Sequence, residues 1–157
     1  MEAEKKGILG TDVVCQIGIV CHDLEKTGKA YAEFFGMECP PVSESGDPER
    51  VKAVFNGESS DAACRMMFFE LGNIQIELIQ PDEKPSVWRN DLESKGEGLH
   101  HIAFIVKDMD GKLKKLDAMG IALRQKGDYA NNSGCYAYVD ARDTLKLTLE
   151  LLENYAD

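Results

Sequence analysis

Four polar side chains stand inside runs that are otherwise apolar, and they fall into two matched pairs. Residues 16–24 read QIGIVCHDL and residues 101–109 read HIAFIVKDM. Aligned, Gln16 falls on His101, Gly18 on Ala103, Asp23 on Asp108 and Leu24 on Met109. Residues 74–80 read IQIELIQ and residues 147–153 read LTLELLE, which sets Glu77 on Glu150. The chain is a half-length duplication that keeps a polar residue at the same place in each strand.

Successive strand side chains point to opposite faces. Ile74, Ile76 and Leu78 therefore make one face of their strand, and Leu147, Leu149 and Leu151 one face of theirs. These wholly apolar faces must pack beneath helices. Glu77 and Glu150 then point to the open face of a curved sheet. An ionised carboxylate in a partly desolvated cup is unfavourable unless compensated. One divalent cation compensates two carboxylates, an imidazole and an amide oxygen that converge on it. Without a thiolate, that donor set of Gln16, Glu77, His101 and Glu150 suits Zn, Ni, Co or Mn with positions left open for water or substrate. The same alternation puts His101 on the cup face with Ala103, and His100 on the opposite face with Ile102, Phe104 and Val106.

The elements that must position these residues repeat in order. The pattern predicts a strand over 12–21, then a helix begun by Asp23 with Leu24, Tyr31 and Phe35 inward and ended by Gly36. A Pro/Ser/Gly-rich loop over 39–50 follows, with strands over 51–55, 65–70 and 74–80. Residues 81–95 form a linker, with a short helix from Ser86 through Leu92 pinned by Trp88 and Leu92. In the second half a strand over 99–106 leads to a helix with Met109, Leu113, Leu116 and Met119 inward, ended by Gly120. Strands over 121–124, 135–140 and 146–152 close it, the first two flanking a loop, KGDYANNSG. The expectation is an α+β fold, one domain over 1–157. Two β-α-β-β-β modules, 12–81 and 97–153, are joined by a linker over 82–96 and make one metal-centred cup.

Composition narrows the partners. A chain of 157 residues with 43% hydrophobic and 29% charged residues has the make-up of a globular domain. A formal net charge of −10 argues against nucleic acid and anionic membrane as partners. The charged start, MEAEKKGILG, reads as a frayed lead-in over 1–11 rather than a signal peptide. Five scattered cysteines without a CxxC pair fit a reducing, cytoplasmic setting better than a zinc–thiolate site. No nucleotide-binding glycine motif is present.

GEGLHHIAF at 96–104, ELGNIQIELIQP at 70–81 and DLEKTGKAYAEFFGM at 23–37 resemble the vicinal oxygen chelate superfamily of glyoxalase I, methylmalonyl-CoA epimerase and extradiol dioxygenase. The resemblance runs from about Val13 to Glu153 and lies nearest the epimerase branch. It implies the glyoxalase/bleomycin resistance/dioxygenase-like fold, a homodimer, and metal ligands at Gln16, Glu77, His101 and Glu150. Gln16 stands where epimerases carry histidine, and the Gln-Glu-His-Glu set is similar to one class of glyoxalase I. Ala53 or Val54 stands where epimerases carry a further catalytic glutamate, which leaves Glu77 and Glu150 as the catalytic candidates. The function implied is a metal-dependent isomerase, epimerase or glyoxalase-type lyase. It moves a proton next to the carbonyl of a small carbonyl compound or thioester. The competing reading is a family member that sequesters a small molecule without turning it over.

Overall fold

The computed structural model describes residues 7–155; the first six residues of the expected lead-in lie outside them. The first half contributes β1 (Gln16–Val20), α1 (Leu24–Phe35), β2 (Ser43–Glu44), α2 (Pro48–Val51), β3 (Val54–Phe55), β4 (Glu58–Ser59), β5 (Cys64–Glu70) and β6 (Gln75–Pro81). Helix α3 (Val87–Lys95) bridges to β7 (Gly98–Ile105), α4 (Met109–Ala118), β8 (Ala122–Asp128), β9 (Gly134–Ala141) and β10 (Leu147–Asn154). All ten strands join one curled mixed sheet in the order β2-β5-β6-β1-β7-β10-β9-β8-β3-β4.

The duplication is visible in the pairing. β1 runs parallel to β6 with Gly18 opposite Glu77, and β7 runs parallel to β10 with Ala103 opposite Glu150. β1 and β7 meet antiparallel at the centre, Gln16 opposite Ala103 and Gly18 opposite His101. An approximate twofold axis therefore passes between these two strands. Asp23 and Asp108 cap their helices alike, their carboxylates accepting from Lys26 N at 3.1 Å and Gly111 N at 3.2 Å.

Apolar packing fixes α1 and α4 against the convex face and α3 against the concave side of the sheet. Leu24 and Ala32 of α1 bury against Phe69, Ile76 and Leu78, with Tyr31 and Phe35 partly buried beside them. Met109 and Leu116 of α4 bury against Ala137, Val139, Leu149 and Leu151. Trp88 and Leu92 of α3 both bury against Ile79 and Tyr138, as their spacing predicted.

Several sequence expectations are corrected. Residues 48–51 are a helical turn rather than the end of a loop and the start of a strand. Asp47 caps that turn and Pro48 enters it, a placement that suits proline's fixed φ and missing N–H. The strand that follows is only Val54–Phe55, and within its own half it pairs only with the two-residue β4, Val54 opposite Ser59 and Phe55 opposite Glu58. It crosses to β8, Val54 opposite Lys126 and Phe55 opposite Gln125. Met119 is exposed rather than inward, because α4 ends at Ala118 and Met119 leaves helical phase as its cap. The loop expected from Lys126 begins later, at Tyr129: Gly127 sits inside β8, and a side chain there would strike the Tyr136 ring, 2.8 Å from its hydroxyl. No helix among the described residues is long and apolar enough to cross a membrane.

Candidate metal centre

β1, β6, β7 and β10 are the four central strands, and each sends one of the four matched residues to the concave face. Gln16, Glu77, His101 and Glu150 are all buried, His101 completely. Among the described residues, Glu77, His101 and Glu150 form a group whose donor atoms lie within 4.8 Å of one another. His101 Nε2 is 3.1 Å from Glu150 Oε1, 3.5 Å from Glu77 Oε1 and 3.0 Å from Gln16 Oε1. Two donors bound to one ion at about 2.1 Å stand about 3.0 Å apart at a right angle and about 3.4 Å apart at the tetrahedral angle. The observed separations match that range.

The amide of Gln16 sharpens the point. Its nitrogen donates to Gln75 Oε1 at 2.6 Å, and the Gln75 amide nitrogen is itself committed to Glu70. The Gln16 oxygen is thereby turned into the centre, 3.0 Å from Glu150 Oε1 and 3.3 Å from Glu77 Oε1. Reversing the amide would give its nitrogen three acceptors there. It would also press its oxygen against the Gln75 oxygen at 2.6 Å. Three oxygens and an imidazole nitrogen thus face one point, and one imidazole proton can serve only one of the oxygens. A cation fits this set better than any arrangement of the protons available. Burial, and then the neighbouring Glu150 charge, push the Glu77 carboxyl well above its usual range.

His101 fits because Gly18 lies across from it. A Cβ at Gly18 would fall 2.0 Å from His101 Cε1 and 2.5 Å from its Nε2. The other side of the ring is closed by Tyr138, ring centroids 5.1 Å apart, and the Tyr138 hydroxyl accepts from Trp88 Nε1 at 2.9 Å. Burial holds the Tyr138 hydroxyl well above its usual pKa, so it stays neutral beside the carboxylates.

His100 does not lie where alternation placed it. Gly18 pairs with His101 but Ile19 pairs with Leu99, so His100 is the extra residue of a β-bulge. The bulge turns it inward beside His101, ring centroids 5.1 Å apart and Nδ1 to Nδ1 2.9 Å. His100 Nε2 then lies 2.8 Å from Asp91 Oδ2, within ion-contact range though off the line of a well-directed N–H. Burial, and then the charge of His101, favour the neutral form of His100 against the pull of Asp91. Asp91 is gripped by both terminal nitrogens of Arg124, each at 2.9 Å. Burial alone would raise the Asp91 pKa, but the His100 and Arg124 contacts win and hold it far below the carboxylate range. Asp91 did not stand out in the sequence, and Arg124 reads there only as a solvated basic residue at a strand end, without a role. The one available signal was an acidic residue in the apolar stripe Val87, Trp88, Leu92 of a short helix.

The centre forms the floor of a cavity of about 290 Å³. Met66, Phe68, Tyr129, Tyr136 and Leu152 wall it, and Glu44 and Asp128 add two more carboxylates. Among the residues that line it there is no lysine or arginine. Glu44 and the tyrosines escaped the sequence reading because nothing in their spacing marks them.

A curled sheet of paired halves around such a centre defines a class. The profile of the Glyoxalase/Bleomycin resistance protein/Dioxygenase superfamily matches residues 15–139, and the chain belongs to that superfamily. The uncharacterised protein YqjC of Bacillus subtilis is 33% identical over 91 residues, 57% of this chain and 65% of that protein's length. Methylmalonyl-CoA epimerase from Mycobacterium tuberculosis superposes with a TM-score of 0.64 at 22% identity, over 90% of this chain and 87% of that one. A Streptomyces coelicolor methylmalonyl-CoA epimerase variant in complex with 2-nitronate-propionyl-CoA gives 0.62 at 21% identity, over 92% and 98%. These likenesses share the fold.

Proposed function

We propose that the chain is a metal-dependent isomerase or epimerase, or a glyoxalase-type lyase, that moves a proton at a carbon next to a carbonyl or thioester. The observation that carries this reading is the convergence of Gln16, Glu77, His101 and Glu150 on one point at the floor of an aromatic cavity. These four residues would hold one divalent ion, Zn, Ni, Co or Mn. When bound, such an ion would supply a Lewis acid for the charge on the substrate's carbonyl oxygen.

Glu77 and Glu150 are the acid–base pair. They come from equivalent positions about the twofold axis, so they reach the substrate from opposite sides. One withdraws the proton and the other returns it. Desolvation, and then the Glu150 charge, raise the Glu77 carboxyl of the metal-free protein above the ordinary carboxyl range, which makes it the stronger base. Tyr136, Tyr138 and Trp88 keep water from the reacting carbon. The walls carry carboxylates and no cation, so the reacting end is held as an uncharged carbonyl or thioester rather than as a free carboxylate. Structural likeness to epimerases solved with CoA thioesters supports the thioester side of the proposal. The protein works as a homodimer in the cytoplasm.

The test is incubation of metal-loaded protein in D₂O with 2-substituted acyl-CoAs, 2-hydroxyacyl thiol adducts and keto sugars. Deuterium should enter the α-carbon of the true substrate, and Glu150→Gln should slow that entry by about 10²–10⁴. Oxygen uptake or hydride transfer on a turned-over substrate would refute proton transfer. Tight binding across the panel without exchange would make the protein a sequestering member of its family.

A further inference from the structure

We propose that Asp91, clamped by Arg124, fixes the tautomer and tilt of the His101 imidazole through His100, so that a buried relay tunes the metal-binding nitrogen from behind. This rests on the metal reading of Gln16, Glu77, His101 and Glu150 given above.

Arg124, Asp91, His100 and His101 form a chain of four groups in which each contact fixes where a proton sits. Asp91 is an acceptor, fully occupied on one side by the two Arg124 contacts at 2.9 Å. Its Oδ2 lies 2.8 Å from His100 Nε2. Two acceptors at that distance repel, so the His100 proton belongs on Nε2. With His101 Nε2 turned to the metal ligands, the His101 proton sits on Nδ1, so His100 Nδ1 must accept and carries no proton of its own. It faces His101 Nδ1 at 2.9 Å, and the proton between them must come from His101. With its proton on Nδ1, His101 presents the Nε2 lone pair to Glu77, Glu150 and Gln16. That is the tautomer a metal ion requires. A carboxylate behind one ring nitrogen raises the basicity of the other, and here the effect passes through a second imidazole.

Position as well as protonation is set from behind. The β-bulge exists at His100 and at no other point of the β1–β7 ladder. Without it, alternation would send His100 to the convex face, away from His101 Nδ1. Thr148 Oγ1, 3.4 Å from Arg124 Nη1, ties the clamp to β10, the strand that carries Glu150. The relay therefore joins α3, β7, β8 and β10 around one ligand. Asp91, Arg124 and His100 touch no substrate and are positioning residues.

The experiment compares wild type with His100→Phe, His100→Asn and Asp91→Asn. Zn²⁺ affinity is read by competition with a chromophoric chelator, and the visible spectrum is recorded for the Co²⁺-loaded forms. His100→Phe should weaken Zn²⁺ binding by about 10–100-fold and shift the Co²⁺ bands. His100→Asn, whose side-chain oxygen can accept from His101 Nδ1, should recover most of the loss. Asp91→Asn should weaken binding less than His100→Phe but move the same bands. Wild-type affinity and an unchanged Co²⁺ spectrum in His100→Phe would overturn the relay, as would failure of His100→Asn to recover either. If His100→Phe does not fold, nitrogen-15 spectra of the zinc-loaded wild type decide: the proton must lie on Nδ1 of His101 and on Nε2 of His100, and any other placement refutes it. Wild type that binds no divalent ion would sink the metal reading and the relay together. Wild type that binds while the variants match it would sink the relay alone.

Discussion

A methyl group added at Gly18 has no room on the concave face. It would lie 2.0 Å from His101 Cε1, 2.4 Å from Nδ1 and 2.5 Å from Nε2, where ordinary contacts between such atoms are about 3.5–4.0 Å. The ring must retreat by about 1.5 Å to restore contact. Tyr138 and His100 stand behind it, each with its ring centroid 5.1 Å from that of His101, and the residue has no exposed surface to move into. Metal–ligand distances tolerate about 0.2 Å, so a shift several times larger removes the imidazole from the ligand set. Overpacking of this kind costs about 1–3 kcal/mol of stability, which a domain of this size survives. Gly18→Ala should therefore be a folded protein with a crippled centre. Chelator competition should show zinc affinity reduced at least as much as in His101→Ala, while unfolding in chelator shifts only by that overpacking cost. Ala103 occupies the equivalent position across from the pliable Gln16. Ala103→Gly should keep its zinc and lose about 0.5–1 kcal/mol to backbone entropy. A Gly18→Ala protein that binds zinc within threefold of wild type would refute the close-approach argument.

Two other substitutions probe the buried charges. Glu77 has its folded pKa raised, so the folded metal-free protein binds the proton more tightly than the unfolded chain. Its stability is then greatest below the unfolded value, about 4.3, and declines as pH rises through the folded value. Glu77→Gln should raise the thermal midpoint of chelated protein at pH 7 and flatten that decline, while abolishing metal binding; a lower midpoint at pH 7 would contradict the assignment. Arg124→Leu leaves Asp91 and His100 without their clamp and should cost about 3–5 kcal/mol in urea unfolding of the metal-free protein. A cost below about 1 kcal/mol would mean water already satisfies Asp91.

The four candidate ligands were legible in the sequence for two reasons. Strand alternation states which residues share a face, and the duplication states it twice, so Glu77 and Glu150 corroborate each other. The same rule failed at His100, one residue from its greatest success. Alternation assumes an unbroken ladder, and the bulge that breaks it has no signature in Leu99-His100-His101. Asp91 and Arg124 lie 33 positions apart on a bridging helix and a strand of the second half, outside any repeat. Their pairing is a tertiary fact. The β3 crossing was hidden similarly: Val54 and Phe55 read correctly as strand, but a two-residue segment carries no information about its partner. Gly127 misled because glycine marks turns in most contexts, and here it clears a space for Tyr136.

The crossing of β3 also settles how the sheet ends. The short hairpin of β3 and β4 lies against the middle of β8, at Gln125 and Lys126. The two outermost strands of the sheet are β2 and β4. Each is two residues long, and each consists of one serine and one glutamate, Ser43–Glu44 and Glu58–Ser59. A foreign strand seeking backbone partners at either margin finds too few to hold it and meets a carboxylate there. A molecule built around ten paired strands thus offers little purchase for fibre growth, and should stay dispersed at concentrations where a sheet with one long bare edge would aggregate.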